Sequence, residues 1–501
     1  MTKIYESVIA RFIIIHGACI IVKLHLSNLG PIKHGEIELG DITLFVGKPN
    51  TGKSTAMKAL FYSLYCPGNL IKLKQDSFEV KDNLFLLRFT IDREGTKENY
   101  KSFISDSLPE GEFKLEPINV LDFILTQKLS YEDEYRPSTL PPMYFPKTCS
   151  DEDIKHLRFS LSNTIYKISV NGDKGEVKVD VSDVSETCLK DNETLSSIST
   201  VMLNIAEQPV NSQYCIGFNE SLSKNGINGV VYIPYGRSFL VLQKFRLQKM
   251  KFILQEILNS PTSASPPYFS WLEVTSSIIR ELEMTINPPF KITRPNYLTD
   301  YFEGLTTYNE KVFNLIKPLL KGQIANVGGN LVYTEENKKI PWEYVSASIL
   351  EIVSFLLSVK VGSLILFEEP ETQLHEELQL LMGMVLYALS SISRIVISTH
   401  SQTIVSTIAH LSMLKPTKEE LKDLFEDLKV KDYEALAEAV EKANEKVKDK
   451  VYLKVYHFTE GEVKDVSIDY VVRGLPGTKD VLEKEFRWFS SLHSKRLFGQ
   501  K

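Results

Sequence analysis

The sequence contains few cysteines and no excess of positive charge. Its five cysteines are an odd number, without the Cys-x-x-Cys spacing of many zinc sites. They predict neither a disulfide framework nor a zinc site, and they favour a reducing, cytoplasmic environment. Lys and Arg number 58 against 64 Asp and Glu, so the net charge is −6. No global positive field attracts nucleic acid or an anionic membrane, and any contact with nucleic acid must be local.

Long apolar runs are missing as well. The longest one near the start, 12–22, is interrupted by His16 and Gly17, and it falls short of the ~20 residues of a membrane span. Only the four apolar residues 12–15 and His16 of this run precede the small residues 17–19, and this falls short of the ~7 to 15 apolar residues in the core of a signal peptide. We therefore expect no membrane partner, and we interpret residues 1–19 as an N-terminal extension. No heptad pattern persists, which argues against a long coiled coil.

The sequence does contain a strong phosphate-binding motif. An alternating hairpin over 22–39 precedes a short apolar strand, 41–46, which runs into a glycine-containing loop and then into a helix. The loop has the Gly-x-x-x-x-Gly-Lys-Ser spacing of a P-loop, whose backbone N–H groups face phosphates. Its predicted nucleotide-binding residues are Gly47, Lys48, Pro49, Asn50, Thr51, Gly52, Lys53, Ser54 and Thr55. Lys53 would reach the outer phosphates, and the Ser54 hydroxyl would bind Mg²⁺.

A second motif follows another apolar strand, 362–367. Glu368 and Glu369 come directly after it, at the carboxyl edge where open α/β sheets bind ligands. We predict that Glu368 binds Mg²⁺ and that Glu369 polarises the water that attacks the γ-phosphate. His400, which ends the strand 394–399, is a third candidate, placed to meet the γ-phosphate. Each feature taken alone is more often structural, and the combination favours one hydrolytic site.

The separation of the two motifs narrows the class of enzyme. The P-loop and the paired carboxylates stand in opposite halves of the chain, whereas small GTPases and nucleoside kinases hold both motifs within ~150 residues. No Asn-Lys-x-Asp motif for reading guanine occurs. The predicted cofactors are therefore ATP and Mg²⁺.

The remaining elements are predicted from periodicity. Antiparallel strands are expected over 84–91, 158–170 and 176–181, and helices over 239–258 and 269–284. Further on, we expect a hairpin over 330–342, a helix over 348–359, a β-α-β alternation over 362–399 and exposed helices over 415–450. The β-α-β alternation is typical of a parallel sheet.

Several runs resemble the ABC-type ATPases of the OLD, RecF and SMC group. These runs are 26–33, 47–55, 367–375 and 398–401, and the segment 230–234 with Arg237 and Ser238 is similar to one in the OLD branch. The resemblance implies an α/β fold, a P-loop ATPase head whose mixed sheet joins an antiparallel β subdomain to a parallel core, with a largely helical insertion. It also implies a homodimer in which two heads enclose two ATP molecules.

In that family each head offers a serine-containing signature helix to its partner's nucleotide. The run Val345-Ser346-Ala347-Ser348, directly before an apolar helix, is the candidate, so Ser346 and Ser348 are predicted to bind nucleotide. Ala347 and Ser348 replace the glycines of the family's usual Leu-Ser-Gly-Gly, which weakens the case for ATP-driven dimerisation but not for ATP binding. Either serine would also serve as the N-cap of the helix.

These patterns divide the chain into five segments. They are an N-terminal extension (1–19), the first part of the ATPase head with the P-loop (20–100), an insertion with a β-hairpin and helices (101–325), the second part of the head (326–410), and C-terminal helices with a short β/α tail (411–501). OLD proteins add a Toprim nuclease domain. The run Glu460-Gly461-Glu462 of this chain is similar to the first acidic motif of that domain. Because no Asp-x-Asp pair follows it, we expect no nuclease activity.

Two kinds of function fit these motifs. One is a DNA-associated ATPase in repair or in defence against mobile elements, supported by the basic cluster Lys244, Arg246, Lys249 and Lys251, although such a cluster is more often a solvated face. The alternative is a nucleotide-gated switch or scaffold that controls a separate effector protein without contacting DNA. A transporter ATPase is disfavoured by the long insertion and by the altered signature.

Overall fold

In the computed structural model the described residues are 22–67, 69–81, 84–105, 108–137, 151–180, 192–236, 310–320, 322–327, 330–335, 338–341, 344–359, 361–446 and 453–467. The chain divides into two compact units. The first comprises Met1–Phe61, Ser107–Pro117 and Asn225–Lys501, and the second comprises Tyr62–Asp106 and Ile118–Lys224. The five segments predicted from the sequence were defined by motifs, whereas these two units are defined by contacts. The five segments therefore stay a prediction.

Strands and helices are numbered along the described chain. The strands are β1 (Lys23–Leu29), β2 (Ile32–Glu38), β3 (Ile42–Gly47), β4 (Lys72–Lys81), β5 (Leu84–Asp92), β6 (Glu112–Glu116), β7 (Leu129–Tyr135), β8 (Tyr166–Gly172), β9 (Lys174–Asp180), β10 (Val230–Ile233), β11 (Gln323–Val327), β12 (Asn330–Glu335), β13 (Lys338–Pro341), β14 (Leu364–Glu368), β15 (Arg394–Ser398), β16 (Leu453–Phe458) and β17 (Gly461–Asp465). The helices are α1 (Lys53–Leu64), α2 (Arg93–Ser105), α3 (Val120–Thr126), α4 (Asp151–Asn163), α5 (Asn192–Lys224), α6 (Glu310–Ile316), α7 (Ala347–Ser358), α8 (Glu376–Leu389), α9 (Gln402–Leu414), α10 (Lys418–Asp427) and α11 (Glu434–Lys446).

A mixed sheet organises the first unit. Its strands, among the described residues, follow the order β10-β14-β15-β3-β16-β17-β2-β1-β6. The strands from β10 to β16 run parallel, whereas β2, β1 and β6 pair antiparallel at the other end. Strand β17 joins the two parts, since it pairs antiparallel with β16 and parallel with β2. The predicted α/β fold, with a parallel core beside antiparallel strands, is confirmed.

The strands β14 and β15 lie in the middle of the hydrophobic core. Every residue of β14 is buried, because a parallel strand is covered on both faces and its sequence is apolar throughout. Phe355 of α7 stacks on Phe367 with ring centroids 4.8 Å apart. Helices α8, α9 and α11 contribute to the same core cluster. This packing holds the carboxyl ends of the parallel strands in place.

Residues near the C-terminus complete the sheet beside the P-loop strand. Strand β16 pairs in parallel with β3, and Phe458 lies opposite Gly47. Tyr456 packs edge-on against Phe45, with centroids 6.4 Å apart, and its hydroxyl accepts a hydrogen bond of 2.7 Å from the Glu38 N–H. The short tail predicted within 411–501 therefore contains a strand that is a direct neighbour of the P-loop.

The second unit is built on an antiparallel sheet of order β4-β5-β9-β8-β7. Phe85, Leu87 and Phe89 of β5 are fully buried, and alternate residues are not, as expected of a sheet with one covered face. The strands predicted over 84–91 and 176–181 are confirmed. The strand predicted from residue 158 begins only at Tyr166, because 158–163 belong to α4. Helix α5 was not predicted: polar residues such as Thr194 and Asn211 lie among its buried positions, and Pro209, which usually breaks a helix, lies inside it.

One prediction from cysteine spacing is wrong. Cys66 and Cys215 of the second unit form a disulfide, with their Cα atoms 5.5 Å apart. The two residues are 149 positions apart in the sequence, so no local spacing could reveal the pair. The cytoplasmic location stays a prediction, and the disulfide argues against it, because disulfides are rare in that compartment.

Other predictions lie outside the described residues. These are the N-terminal extension 1–19, the segment of Arg237 and Ser238, the helices over 239–258 and 269–284, and the basic cluster Lys244, Arg246, Lys249 and Lys251. The hairpin predicted over 330–342 is confirmed as β12 and β13. Of the helices in the described part of the chain, none has the length and apolar character needed to cross a membrane.

Candidate nucleotide-binding site

The parallel strands bring the sequence motifs together at one edge of the sheet. Strand β15 lies between the P-loop strand β3 and the carboxylate strand β14, and neighbouring strands are about 4.8 Å apart. His400, which follows β15, therefore stands between Gly47 and Glu368. Motifs from opposite halves of the chain become neighbours because parallel pairing aligns their carboxyl ends.

The P-loop has a conformation that only glycine can adopt at two positions. Gly47 has φ 141°, and a Cβ there would lie 2.3 Å from the Phe458 carbonyl oxygen. Gly52 has φ 102°, and a Cβ there would lie 2.6 Å from Ile32 Cγ1. Both glycines are thus required by the loop's left-handed turns and by the close packing of β16 and β2.

Lys53 bonds to the first carbonyl groups of the P-loop. Its side chain is only 6% exposed, and its Nζ donates to the carbonyl oxygens of Gly47 at 2.9 Å and Lys48 at 2.8 Å. Burial lowers the pKa of Lys53 to about 8, against the opposing effect of the Glu369 and Glu371 carboxylates. The ammonium is therefore charged near neutral pH and lies among the loop carbonyls.

The other P-loop residues divide into a buried and an exposed set. Thr51 and Gly52 are buried, and the Thr51 hydroxyl donates to the Lys48 carbonyl oxygen at 2.9 Å. Lys48, Pro49, Asn50 and Ser54 are exposed, and Thr55 is half-buried. Ser54 lies in the first turn of α1, where the positive end of the helix dipole favours an anion.

The paired carboxylates occupy different environments. Glu368 ends β14, is 5% exposed, and accepts a hydrogen bond of 3.2 Å from the Tyr235 N–H. Glu369 is 37% exposed and has φ 43°, so the chain turns sharply at this residue. Its N–H donates to the Ser398 carbonyl oxygen at 2.8 Å. The turn directs the two carboxylates to different places, as two different roles would require.

His400 is the third predicted residue at this edge. Its Nε2 lies 4.0 Å from Glu369 Oε1. Burial lowers the pKa of His400, the Lys53 ammonium lowers it further, and the Glu371 carboxylate opposes both. The imidazole is thus neutral at neutral pH and can donate or accept a hydrogen bond.

Glu371 joins this site although sequence reasoning gave it no role. Its carboxylate accepts hydrogen bonds from the Thr399 hydroxyl at 2.7 Å and from the His400 N–H at 2.6 Å. The only signal in the sequence was its place in the run 367–375, two residues after Glu369. Tyr235 was missed as well, because a backbone N–H leaves no trace in the residue type.

The two signature serines lie apart from the P-loop contacts. Ser346 is exposed and is the N-cap of α7, its hydroxyl accepting from the Ile349 N–H at 3.4 Å. The Ser348 hydroxyl donates to the Gln373 carbonyl oxygen in the turn after Glu369. In the described part of the chain neither serine bonds to a P-loop residue. The N-cap role of Ser346 is shown, and nucleotide binding by either serine stays a prediction.

The donors at this edge fit a magnesium nucleotide. Mg²⁺ prefers oxygen ligands and binds nucleotides through one or two protein oxygens plus the phosphates. The exposed Ser54 hydroxyl and the buried Glu368 carboxylate are such oxygens. Among the described residues no group of three His, Cys, Asp or Glu side chains could hold a metal ion by itself, so the ion would need the phosphates.

A protein-family model described as an AAA ATPase domain matches residues 20–405. The matched region contains the P-loop, the two carboxylates and His400. A comparison with curated proteins found no match.

The solved structures that resemble this chain include three SMC heads. An SMC head bound to the C-terminal winged-helix domain of ScpA is 10% identical, covers 90% of this chain and 99% of its own, and has a TM-score of 0.33. An SMC head from Thermotoga maritima is 9% identical, with coverages of 89% and 98% and a TM-score of 0.26. An SMC head bound to the C-terminal domain of ScpA from Pyrococcus furiosus is 10% identical, with coverages of 93% and 98% and a TM-score of 0.30. The functional argument therefore depends on the family match and the site.

Proposed function

Because the chain belongs to the family of AAA ATPase domains, we propose that it binds ATP with Mg²⁺ and hydrolyses the γ-phosphate. The observation that carries the proposal is the meeting of Lys53, Glu369 and His400 at one edge of the parallel sheet. The Glu369 carboxylate is close enough to Lys53 to raise the pKa of the lysine. The Lys53 ammonium is close enough to His400 to lower the pKa of the imidazole. A phosphate held by Lys53 would therefore lie near a carboxylate and a neutral imidazole.

Each residue has a proposed role in this reaction. The P-loop N–H groups and Lys53 bind the phosphates, and Ser54 and Glu368 hold Mg²⁺, which neutralises charge on the β- and γ-phosphates when bound. Glu369 orients and polarises the attacking water, because its carboxylate is half-exposed beside the loop. His400 donates a hydrogen bond toward the charge that develops on the γ-phosphate.

We further propose that two copies form an ATP-gated homodimer associated with DNA, in repair or in defence against mobile elements. The exposed position of Ser346 supports the dimer, since an exposed N-cap can meet a partner's phosphate. The resemblance of the motifs to the OLD, RecF and SMC group supports the association with DNA.

We also propose that this head cuts no DNA by itself. Glu460 and Glu462 lie in and beside the turn between β16 and β17, and the Glu462 carboxylate forms an ion pair of 2.8 Å with Lys464. The lysine competes with a metal ion for this carboxylate, which makes the hairpin unsuitable for a site with two metals.

Two measurements test the function. ATP hydrolysis by the purified chain should require Mg²⁺ and should vanish in Lys53→Ala, while the circular dichroism of that variant stays unchanged. DNA retention should fall steeply as salt rises, because Lys and Arg release counterions from the phosphates. Hydrolysis without DNA retention, together with a stable complex with another protein, would favour the scaffold alternative; an equal rate in Lys53→Ala would overturn the ATPase.

A further inference from the structure

We propose that Glu371 is a positioning residue, whose carboxylate sets the distance between His400 and the water-activating Glu369. The proposal deepens the ATPase function and rests on it. Glu371 would touch neither nucleotide nor water; it would act through the backbone of His400 and through the turn that carries Glu369.

The carboxylate of Glu371 bridges the turn and the end of β15. Oε2 accepts from the Thr399 hydroxyl at 2.7 Å, and Oε1 accepts from the His400 N–H at 2.6 Å. Two short hydrogen bonds to one carboxylate restrict its position in two directions, and charge-assisted bonds are stronger than neutral ones. Both donors belong to the two residues that follow β15.

The same residue stabilises the turn of Glu369. The Leu374 N–H donates to the Glu371 carbonyl oxygen at 2.9 Å, and the Thr372 N–H donates to the Glu369 carbonyl oxygen at 3.1 Å. The Glu369 N–H in turn reaches β15 through the Ser398 carbonyl oxygen. The Glu371 carboxylate therefore connects the turn that begins at Glu369 with the backbone of His400.

Thr399 extends this connection to the P-loop strand. Its N–H donates to the Phe45 carbonyl oxygen of β3 at 3.1 Å, and its hydroxyl accepts from the Ser401 N–H at 2.9 Å. Thr399, directly after β15, thus connects β3 with the Glu371 carboxylate in the turn after β14. Since His400 is 36% exposed, core packing alone would not hold it, and these bonds decide its place.

Loss of Glu371 should impair catalysis more than folding. Thr399 is buried, but Glu371 is half-buried and His400 is exposed. Water can therefore enter the space that Glu371→Ala leaves and satisfy the Thr399 hydroxyl and the His400 N–H, so the fold should survive. The distance from His400 to Glu369 would no longer be set, and a displacement of about 1 Å can lower a rate by about 100-fold. We expect Glu371→Ala to lower kcat about 10- to 100-fold, with the affinity for ATP unchanged.

Thr399 variants separate position from charge. Glu371→Ala also removes a negative charge near Lys53 and His400. Thr399→Val leaves that charge and removes only the hydroxyl, with its bond to Glu371 and its bond from the Ser401 N–H. Thr399→Val should therefore lower kcat in the same direction but less, and Thr399→Ser should restore it. In the double variant, Thr399→Val should cost less than it does alone, because its partner is already absent.

The experiment compares kcat, the dissociation constant for ATP, the melting temperature and amide hydrogen exchange at His400 in these variants. Glu377→Gln is the matched control, because it removes an exposed carboxylate at the start of α8 and should change none of the four. Glu371→Ala should speed exchange of the His400 amide even without nucleotide.

Three results would overturn the proposal: an unchanged kcat in Glu371→Ala, unchanged exchange at His400, or a parallel loss of stability and ATP affinity. In that last case Glu371 would be merely structural. Should Glu371→Ala fail to fold, Thr399→Val alone decides through the same readouts. The proposed function fails separately if the unmodified chain does not hydrolyse ATP, or hydrolyses it no faster than Lys53→Ala. In that case the exchange measurement still tests the hydrogen bond between the Glu371 carboxylate and the His400 N–H.

Discussion

The imidazole Nε2 of His400 lies 4.0 Å from the Oε1 of Glu369, although the two residues follow different strands. Burial and the Lys53 ammonium lower the pKa of His400. A lowered histidine pKa favours the neutral form, so the contact is polar and not an ion pair at neutral pH. At neutral pH the Glu369 carboxylate is therefore not engaged in an ion pair with an imidazolium at His400.

Glu369→Gln should reduce turnover and spare binding. The amide keeps the shape of the side chain but cannot polarise water, so we expect kcat to fall by about 100-fold or more while ATP affinity stays within about 3-fold. Steady-state kinetics and calorimetry check this. Glu376→Gln, an exposed carboxylate at the start of α8, is the control. If Glu369→Gln left turnover intact and Glu368→Gln left metal-dependent binding intact, the two roles would be reversed.

ATP affinity should depend on pH through Lys53. The pKa of Lys53 in the free protein is lowered to about 8 by burial, and bound phosphates favour the ammonium. Above that pH, binding should take up a proton, and the affinity should fall by up to about 10-fold per pH unit. Below it the lysine is already charged, and the effect should vanish.

Calorimetry in two buffers of different ionisation enthalpy measures this proton uptake. We expect nearly one proton per ATP at about pH 9 and little at about pH 7. Absence of uptake at the higher pH would mean that the Lys53 ammonium does not meet the phosphates.

Ser346 should be required for ATP-dependent dimerisation. Ser346→Asp keeps a residue that caps helices well, but it adds a negative charge where a partner's phosphate would lie. In the Glu369→Gln background, light scattering should show an ATP-dependent dimer that Ser346→Asp abolishes. Ser346→Asn, a neutral cap, should retain more of it. A dimer unaffected by Ser346→Asp would exclude this serine from the interface.

Plasmid DNA should stay intact in the presence of this chain. Supercoiled plasmid incubated with Mg²⁺ or Mn²⁺ should remain supercoiled, because the described residues provide no cluster for two metals and phosphodiester hydrolysis is otherwise very slow. Nicking that survives stringent purification and disappears in Glu460→Gln or Glu462→Gln would reveal a nuclease site.

Reduction should destabilise the chain through Cys66 and Cys215. A cross-link between residues 149 positions apart restricts the unfolded chain, which is worth about 2–5 kcal/mol. Denaturant unfolding with and without a thiol reductant should show this difference, and Cys215→Ser should remove it. Cys188→Ser, which leaves the pair intact, is the control. Equal stability under both conditions would contradict a disulfide in the purified protein.

Elements with a local signal were predicted well. Strands β14 and β15 were assigned to within two residues, because each is an apolar run between clear turns. Helix α5 was missed because polar residues and Pro209 lie among its buried positions, and the start of β8 was misplaced because 158–163 belong to a helix. Glu371 was missed for another reason: its role depends on donors 28 and 29 positions away.

The sequence by itself indicated the P-loop motif, the pair of carboxylates after an apolar strand and the β-α-β alternation of a parallel sheet, since each depends on residues that are close together in the chain. Only the tertiary structure decided which strand lies between β3 and β14, that β16 from the C-terminal region borders Gly47, and that Cys66 meets Cys215. These contacts join residues that are far apart in the chain. Their formation depends on the packing of whole strands and helices, which short-range patterns of residue type do not specify.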